Sequence, residues 1–209
     1  AQGRLEEAEG LFRESMRLLE ELFGPDHPHV AGALQNLARL RSERGDRAEA
    51  VELGARALHI LKEQLPPDDV RLADALLNLS SNQYAAKDYD AAEANLNKAL
   101  RIWEAQEGRR SFGVSTCLNN LGRICEERGE TAQGVLYHRE AVAIRKEILG
   151  DHAETAFSLG NYGAALAGDG QWTEAARALE EALACYERIG QADTPDAATC
   201  RANLEICRK

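Results

Sequence analysis

Long apolar runs, aromatic residues and basic clusters are all scarce in this chain of 209 residues. No stretch approaches the roughly 18 to 20 apolar residues that a membrane span needs, and no basic-then-apolar leader is present. Aromatic residues make up only 5% of the chain, but hydrophobic residues make up 44%, which excludes a disordered composition. The net charge of -10, with no local concentration of Lys or Arg, argues against nucleic acid or an anionic membrane as a partner.

Cysteine is also sparse, with five residues and no CxxC pair. An odd number without pair spacing argues against a disulfide framework or a zinc knuckle. We therefore predict small buried or half-buried thiols in a reducing compartment, which favours a cytoplasmic location. Because the chain opens on Ala1 and not on Met, we expect it to be part of a larger protein. The cysteines are Cys117, Cys125, Cys185, Cys200 and Cys207.

An internal repeat organises what is present. The segments QNLARLRSERGDRAEA and NNLGRICEERGETAQGV belong to one series aligned on an asparagine, with successive spacings of 42, 42, 41 and 42 residues. Such a regular period predicts a repeat architecture in which neighbouring units bury one another's apolar faces. The aligned asparagines are Asn36, Asn78, Asn120, Asn161 and Asn203.

Small residues recur at fixed offsets behind each asparagine. Nine positions after it, the residues Gly45, Lys87, Gly129 and Gly170 mark the end of a first helix, where a left-handed residue is easiest for Gly. Further small columns allow close helix packing. They are Ala38, Ser80, Gly122 and Gly163; Ala50, Ala92, Gly134 and Ala175; and Ala57, Ala99, Ala141 and Ala182.

Apolar residues between these columns have helical spacing, and the period-two alternation of strands is absent. Each unit therefore reads as a helix A, a short turn and a helix B. We predict an all-α chain of about ten helices that forms one domain over residues 1–209. Its parts are a half repeat over 3–28, repeats over 29–70, 71–112, 113–153 and 154–193, and a half repeat over 194–209.

The columns resemble the tetratricopeptide repeat, and the 42-residue period with LFGPDHPHVA ahead of ALQNLA is most similar to the kinesin light chain subtype. The resemblance covers residues 3–207. It implies a right-handed superhelical solenoid of antiparallel helix pairs whose A helices line a concave groove. It also implies a binding module for proteins or peptides.

The resemblance places certain helix A positions in that groove. An amide both donates and accepts hydrogen bonds, so a series of amides can pair with the peptide groups of an extended ligand. Arginines in the same rows could hold carboxylates of an acidic partner bidentately. The alternative is that the asparagines only bond neighbouring helices. The candidate peptide-binding residues are Gln35, Asn36, Arg39, Asn78, Ser81, Asn119, Asn120, Arg123 and Asn161.

The cluster Asp26, His27 and His29 could suggest a metal site, but its repeat counterparts argue otherwise. His27 aligns with Asp69, Ser111 and His152, and all of these residue types suit a helix N-cap. We therefore predict a helix junction there and no metal ligand or cofactor. No nucleotide-binding, hydrolase or metalloprotease motif occurs, so we expect no enzyme activity. We also expect Trp103 and Trp172 to be packing residues.

Two functional hypotheses follow, with a third that depends on sequence outside this chain. The first is a module that captures a linear peptide or a helical partner segment. The second is a structural spacer that associates end to end with another copy. The third is a regulatory domain attached to a separate catalytic domain.

Overall fold

The computed structural model of the chain describes the backbone of residues 2–208 and the side chains of residues 10–208. Residues 1 and 209 of the predicted solenoid lie outside this part. The predicted all-α class is confirmed, since ten helices and no strand occur within the described residues. The helices are α1 (Gln2–Phe23), α2 (Pro28–Arg44), α3 (Arg47–Gln64), α4 (Val70–Ala85), α5 (Tyr89–Glu107), α6 (Phe112–Arg128), α7 (Thr131–Leu149), α8 (Ala153–Gly168), α9 (Trp172–Arg188) and α10 (Pro195–Cys207).

Even-numbered helices are the predicted A helices, and each begins at a side-chain N-cap. Nδ1 of His27 accepts a hydrogen bond from the backbone N–H of His29 at 3.2 Å, and Pro28 follows in the first turn. In α4 the carboxylate of Asp69 accepts from the N–H of Arg71 at 2.9 Å. The junction role predicted for the histidine cluster is therefore confirmed. The remaining A helices are capped by Ser111, His152 and Thr194.

The turns between helix A and helix B all use the predicted left-handed residue. Gly45, Gly129 and Gly170 have φ values of 90°, 75° and 79°. Lys87 occupies the same column with φ of 64°, and it is the one non-glycine residue with positive φ in the described chain. Its N–H donates to the carbonyl of Tyr84 at 2.9 Å, as Gly45 does to Ser42 at 3.1 Å, so the turn survives without glycine.

The predicted small columns are the sites of closest helix packing. The alanines Ala57, Ala99, Ala141 and Ala182 are all fully buried. At Gly122 an added Cβ would lie 2.5 Å from Nε2 of His138, and at Gly163 it would lie 2.6 Å from Cγ of Leu179. A larger residue at Gly122 or Gly163 would therefore have to displace the side chain of His138 or Leu179.

The chain divides into two compact units, residues 1–106 and 107–209. In the first unit, α2 packs against α1, α3 and α4, and α3 packs against α4. In the second unit each helix from α6 to α10 packs against the next, and α8 also packs against α6 and α10. Each unit thus pairs an A helix both with its own B helix and with the next A helix.

Arg145 lies in the interior of the second unit with only 2% of its surface exposed. Its guanidinium donates to Oγ of Ser115 at 3.2 Å and to Oγ of Ser158 at 2.6 Å, and also to the carbonyl of Glu154 at 3.0 Å. Burial lowers the pKa of Arg145, and the Glu154 carboxylate opposes that change. This side chain joins α6, α7 and α8 through polar contacts. Other repeats place Leu61, Trp103 and Tyr186 in this column.

The predictions for cysteine and tryptophan had different outcomes. Four cysteines are buried, Cys207 is half-buried, and all five are free thiols, as predicted. Trp103 is 8% exposed, which confirms a packing role. For Trp172 the prediction of a packing role was wrong, since 49% of its surface is exposed. The residue begins α9, and its side chain is exposed, whereas Tyr89 and Thr131 at the same repeat position are half-buried.

Candidate functional site

Five of the predicted site residues meet in the first unit, on adjacent faces of the A helices α2 and α4. Together with Asn82 they line a cavity of about 380 Å³. This volume lies within the range of small-ligand or peptide side-chain pockets. The spacing of Asn36 and Arg39, and of Asn78 and Ser81, puts each pair on one helix face. The predicted lining residues are Gln35, Asn36, Arg39, Asn78 and Ser81.

The amide groups of this cavity are open to a ligand. Asn36 and Asn78 are exposed and Gln35 is half-buried. None of the three side-chain amides hydrogen-bonds to another of the described residues. Arg39 is exposed and its Nη1 lies 3.3 Å from Oε1 of Glu43 in the next helical turn. The cavity therefore combines free amide donors and acceptors with an arginine held only by an exposed ion pair.

In the second unit the equivalent amides are hydrogen-bonded to each other. Asn119 is 3% exposed, and its Oδ1 accepts a hydrogen bond from Nδ2 of Asn161 at 3.1 Å. Asn119 and Asn161 occupy the repeat positions of Gln35 and Asn78, so the same pair of columns is bonded here. This contact fits the alternative in which the asparagines join neighbouring A helices. Asn120 and Arg123 are half-buried on the same helix.

Asn161 also borders a smaller cavity of about 110 Å³ beside Asn203, the last asparagine of the series. Burial raises the pKa of the nearby Cys200 thiol, and the carboxylate of Asp196 adds to that increase. Burial likewise raises the pKa of Cys185. A raised pKa disfavours the thiolate, so neither thiol has the character of an activated nucleophile.

Sequence reasoning did not select Asn82, although this residue lines the first-unit cavity. Its side chain is 7% exposed, and Nδ2 donates to the carbonyl of Ala50 in α3 at 3.3 Å. A signal was available, because the same column holds only Leu40, Ile124 and Ala165 in the other repeats. A lone polar residue in an apolar column indicates a buried hydrogen bond.

Among the described side chains, no group of three or more His, Cys, Asp and Glu is arranged to hold a metal ion. None of the described helices is both long and apolar enough to cross a membrane.

Several solved structures superpose on most of this chain. BtubC (BKLC) from P. vanneervenii superposes with a TM-score of 0.78 at 24% identity, over 90% of this chain and 76% of that one. A putative kinesin light chain with nearly identical TPR-like repeats from Podosopora anserina has a TM-score of 0.72 at 22% identity, over 90% of both chains. At these identities the likeness establishes the fold alone.

Sequence comparison identifies the repeat itself. A clustered mitochondria protein homolog of Neosartorya fischeri is 25% identical over 140 residues, which is 67% of this chain but 11% of that protein. A homolog of the same name from Coccidioides immitis is 26% identical over 119 residues, or 57% of this chain and 9% of that one. The chain thus spans about a tenth of the length of these curated relatives. The family profile described as tetratricopeptide repeat matches residues 1–63, 71–147 and 132–188, and the chain belongs to this family.

Proposed function

We propose that this chain binds an extended segment of a partner protein along the A helices, with the first-unit cavity as the main contact. Tetratricopeptide repeats generally mediate protein–protein interaction and are typically non-catalytic scaffolds. One observation carries the finer proposal. Gln35, Asn36 and Asn78 line a 380 Å³ cavity and make no hydrogen bond within the described residues. Unpaired amides on a cavity wall can bond the peptide groups of a ligand whatever its sequence.

Arg39 provides the charge preference of the proposal. A ligand carboxylate can replace Glu43 as its partner, since their 3.3 Å contact is exposed and contributes little to stability. Planar guanidinium donors suit a carboxylate better than a lysine would. We therefore assign a preference for extended segments with acidic side chains. Catalysis and a bound cofactor are not part of this proposal.

The second-unit residues Asn119, Asn120, Arg123 and Asn161 have a lesser role in this proposal. Asn161 already donates one N–H of its amide to Oδ1 of Asn119 at 3.1 Å, so only the other N–H and Oδ1 of Asn161 remain for a ligand. This bond also fixes the orientation of the amide. We expect substitutions in this row to weaken binding less than those around Asn36.

The test uses a fluorescein-labelled peptide of alternating Asp and Ser, which stays extended and carries no apolar side chain. Fluorescence anisotropy should show that Arg39→Glu weakens binding about tenfold, whereas Arg123→Glu weakens it less. Glu43→Gln should strengthen binding, because it removes the competing carboxylate. Affinity should also fall as salt is raised from low concentration.

Arg47→Glu is the matched control, since Arg47 is exposed on α3 and the substitution changes net charge by the same amount. Its affinity should equal that of the unmodified chain. Equal affinity in Arg39→Glu and Arg47→Glu would contradict the assignment of the cavity. Absence of binding by the unmodified chain would contradict the proposed acidic preference.

Self-association is a second candidate function because α1 has an exposed apolar stripe. Leu11, Leu18 and Leu22 are 67%, 50% and 75% exposed. Their spacing of seven and four residues places them on one helix face. Multi-angle light scattering across a concentration series tests this candidate. Association that Leu18→Lys abolishes would support it, and a monomer at all concentrations would exclude it.

A further inference from the structure

A second cavity in the first unit lies on the opposite side of α4 from the amides. It has a volume of about 430 Å³, opens to solvent, and is lined by residues of α3, α4, α5 and the loop between α3 and α4. Leu72 and Leu76 of α4 form its apolar floor with Ile102 of α5. At about 100° per residue, Leu72 and Leu76 face away from Asn78 and Ser81. A ligand in this cavity would therefore leave the amide cavity free.

Three cations surround the apolar floor. Lys62 comes from α3, and Lys98 and Arg101 come from α5. All three are exposed, and none forms an ion pair or hydrogen bond with another described residue. Three unpaired cations at one apolar cavity are unusual in a chain of net charge -10. Their mutual repulsion would be relieved by negative charge from outside the chain.

The second unit has an equivalent cavity in which the charged side chains form ion pairs with one another. A space of about 280 Å³ is lined by Lys146, Leu159 and Glu181, which occupy the repeat positions of Lys62, Leu76 and Lys98. Here Nζ of Lys146 lies 2.6 Å from Oε1 of Glu181. A second ion pair joins Arg188 to Asp151 at 2.6 Å across the same cavity. The charges of this site are therefore satisfied within the chain.

The repeat preceding the cationic cavity is also neutralised at these positions. Glu20 and Arg56 occupy the columns of Lys62 and Lys98, and they form an ion pair at 2.8 Å. Residues of opposite charge therefore pair at these two repeat positions in Glu20 with Arg56 and in Lys146 with Glu181. In the cationic cavity both positions hold lysine, so no carboxylate is present to pair with them.

We propose that the cationic cavity binds an acidic amphipathic segment of a partner protein. Apolar side chains of that segment would cover Leu72, Leu76 and Ile102. Its carboxylates would contact Lys62 and Lys98, so that Lys62 would receive from the partner the negative charge that Glu181 provides to Lys146 in the second unit. Three cations on two helices match several carboxylates along a peptide better than the single carboxylate of a fatty acid. This surface is separate from the amide cavity and does not depend on the function proposed there.

The experiment uses the full chain and a fluorescein-labelled peptide of alternating Leu and Asp, with alternating Leu and Asn as the neutral comparison. Lys98→Glu is the decisive variant, because it recreates the pairing of Lys146 with Glu181. We expect the acidic peptide to bind the unmodified chain and to lose about tenfold in affinity with Lys98→Glu. Arg47→Glu, with the same change in net charge, should bind as the unmodified chain does.

Several results would overturn this assignment. Equal affinity for the Asp and Asn peptides, or for Lys98→Glu and Arg47→Glu, would show that the cations are not used. A loss of affinity in Arg39→Glu but not in Lys98→Glu would move the peptide to the amide cavity. Decanoate binding that depends on Lys98, with no peptide binding, would identify a fatty-acid site instead. A circular-dichroism melt of Lys98→Glu that matches the unmodified chain verifies that the variant is folded.

Discussion

The two units of the chain use the same repeat columns but satisfy their polar groups in different ways. In the second unit Asn161 bonds Asn119 and Lys146 pairs with Glu181. In the first unit the equivalent amides, Asn78 and Gln35, have no hydrogen-bond partner among the described side chains, and Lys62 has no ion-pair partner there. The same repeat columns therefore hold polar groups that pair within the chain in the second unit and equivalents in the first unit that make no such pair among the described residues.

The difference separates stability from recognition along the chain. A polar group that bonds inside the protein contributes to folding and costs free energy to redirect toward a ligand. An unpaired group on a cavity wall contributes little to folding but is available for binding. The comparison predicts that polar substitutions in the second unit change stability, whereas the corresponding substitutions in the first unit change binding.

Arg145→Ala should give the largest effect, because it removes the buried guanidinium that joins α6, α7 and α8. We expect the free energy of unfolding to fall by about 3 kcal/mol, from the cavity and the lost hydrogen bonds. Urea denaturation followed by circular dichroism measures this change. Arg139→Ala, on the exposed face of the same helix, should stay within about 0.5 kcal/mol. A loss below about 1 kcal/mol for Arg145→Ala would show that these contacts are dispensable.

Overpacking should lower the free energy of unfolding in both units, because both have a fully buried alanine at the same repeat position. Ala99→Leu in the first unit and Ala182→Leu in the second each add bulk at a fully buried position. Each should lower the free energy of unfolding by about 1 to 3 kcal/mol. Ala94→Leu on the exposed face of α5 serves as the control and should be nearly neutral. An unchanged denaturation midpoint for Ala99→Leu would contradict the repeat register.

Asn161→Ala and Asn78→Ala test the comparison at a single repeat position. The first removes the hydrogen bond to Asn119 and should cost about 1 kcal/mol of unfolding free energy. The second removes an unpaired exposed amide and should change stability by less than about 0.5 kcal/mol. Thermal melts of both variants measure the difference. Equal losses would mean that the first-unit amide has a structural partner after all.

Lys87→Gly should have the smallest effect, and we expect it to raise the free energy of unfolding by about 0.5 kcal/mol. Relief of the left-handed strain is offset in part by the greater backbone entropy of glycine in the unfolded chain. The reciprocal change, Gly45→Lys, should destabilise the equivalent turn. Differential scanning calorimetry on both variants resolves the two signs. A destabilised Lys87→Gly would indicate that the lysine side chain, and not the turn geometry, fixes this position.

Sequence columns predicted the features that depend on one residue and its own backbone. The N-caps at His27 and Asp69, the left-handed turns and the buried alanines all follow from steric rules that apply locally. Lys87 departs from the glycine of its column, and the structure nevertheless has the left-handed turn there, with φ of 64°.

The repeat columns did not predict features that depend on a contact between two residues. Whether Asn161 bonds Asn119 is decided by the distance between two helices, and residue type alone does not give that distance. The lysine pair at 62 and 98 was visible only when the two columns were compared with Glu20, Arg56, Lys146 and Glu181 together. The packing role predicted for Trp172 was wrong because the residue types in its column do not show how many side chains surround that position.

The bond between Asn161 and Asn119 joins residues 42 positions apart, and the ion pair of Arg188 with Asp151 joins residues 37 apart. Each contact therefore joins two residues that are about one repeat apart in the sequence. Short closures have a small entropic cost, so formation of native contacts needs no early encounter between distant parts of the chain. In such a repeat architecture, folding can begin at any adjacent helix pair and spread in both directions.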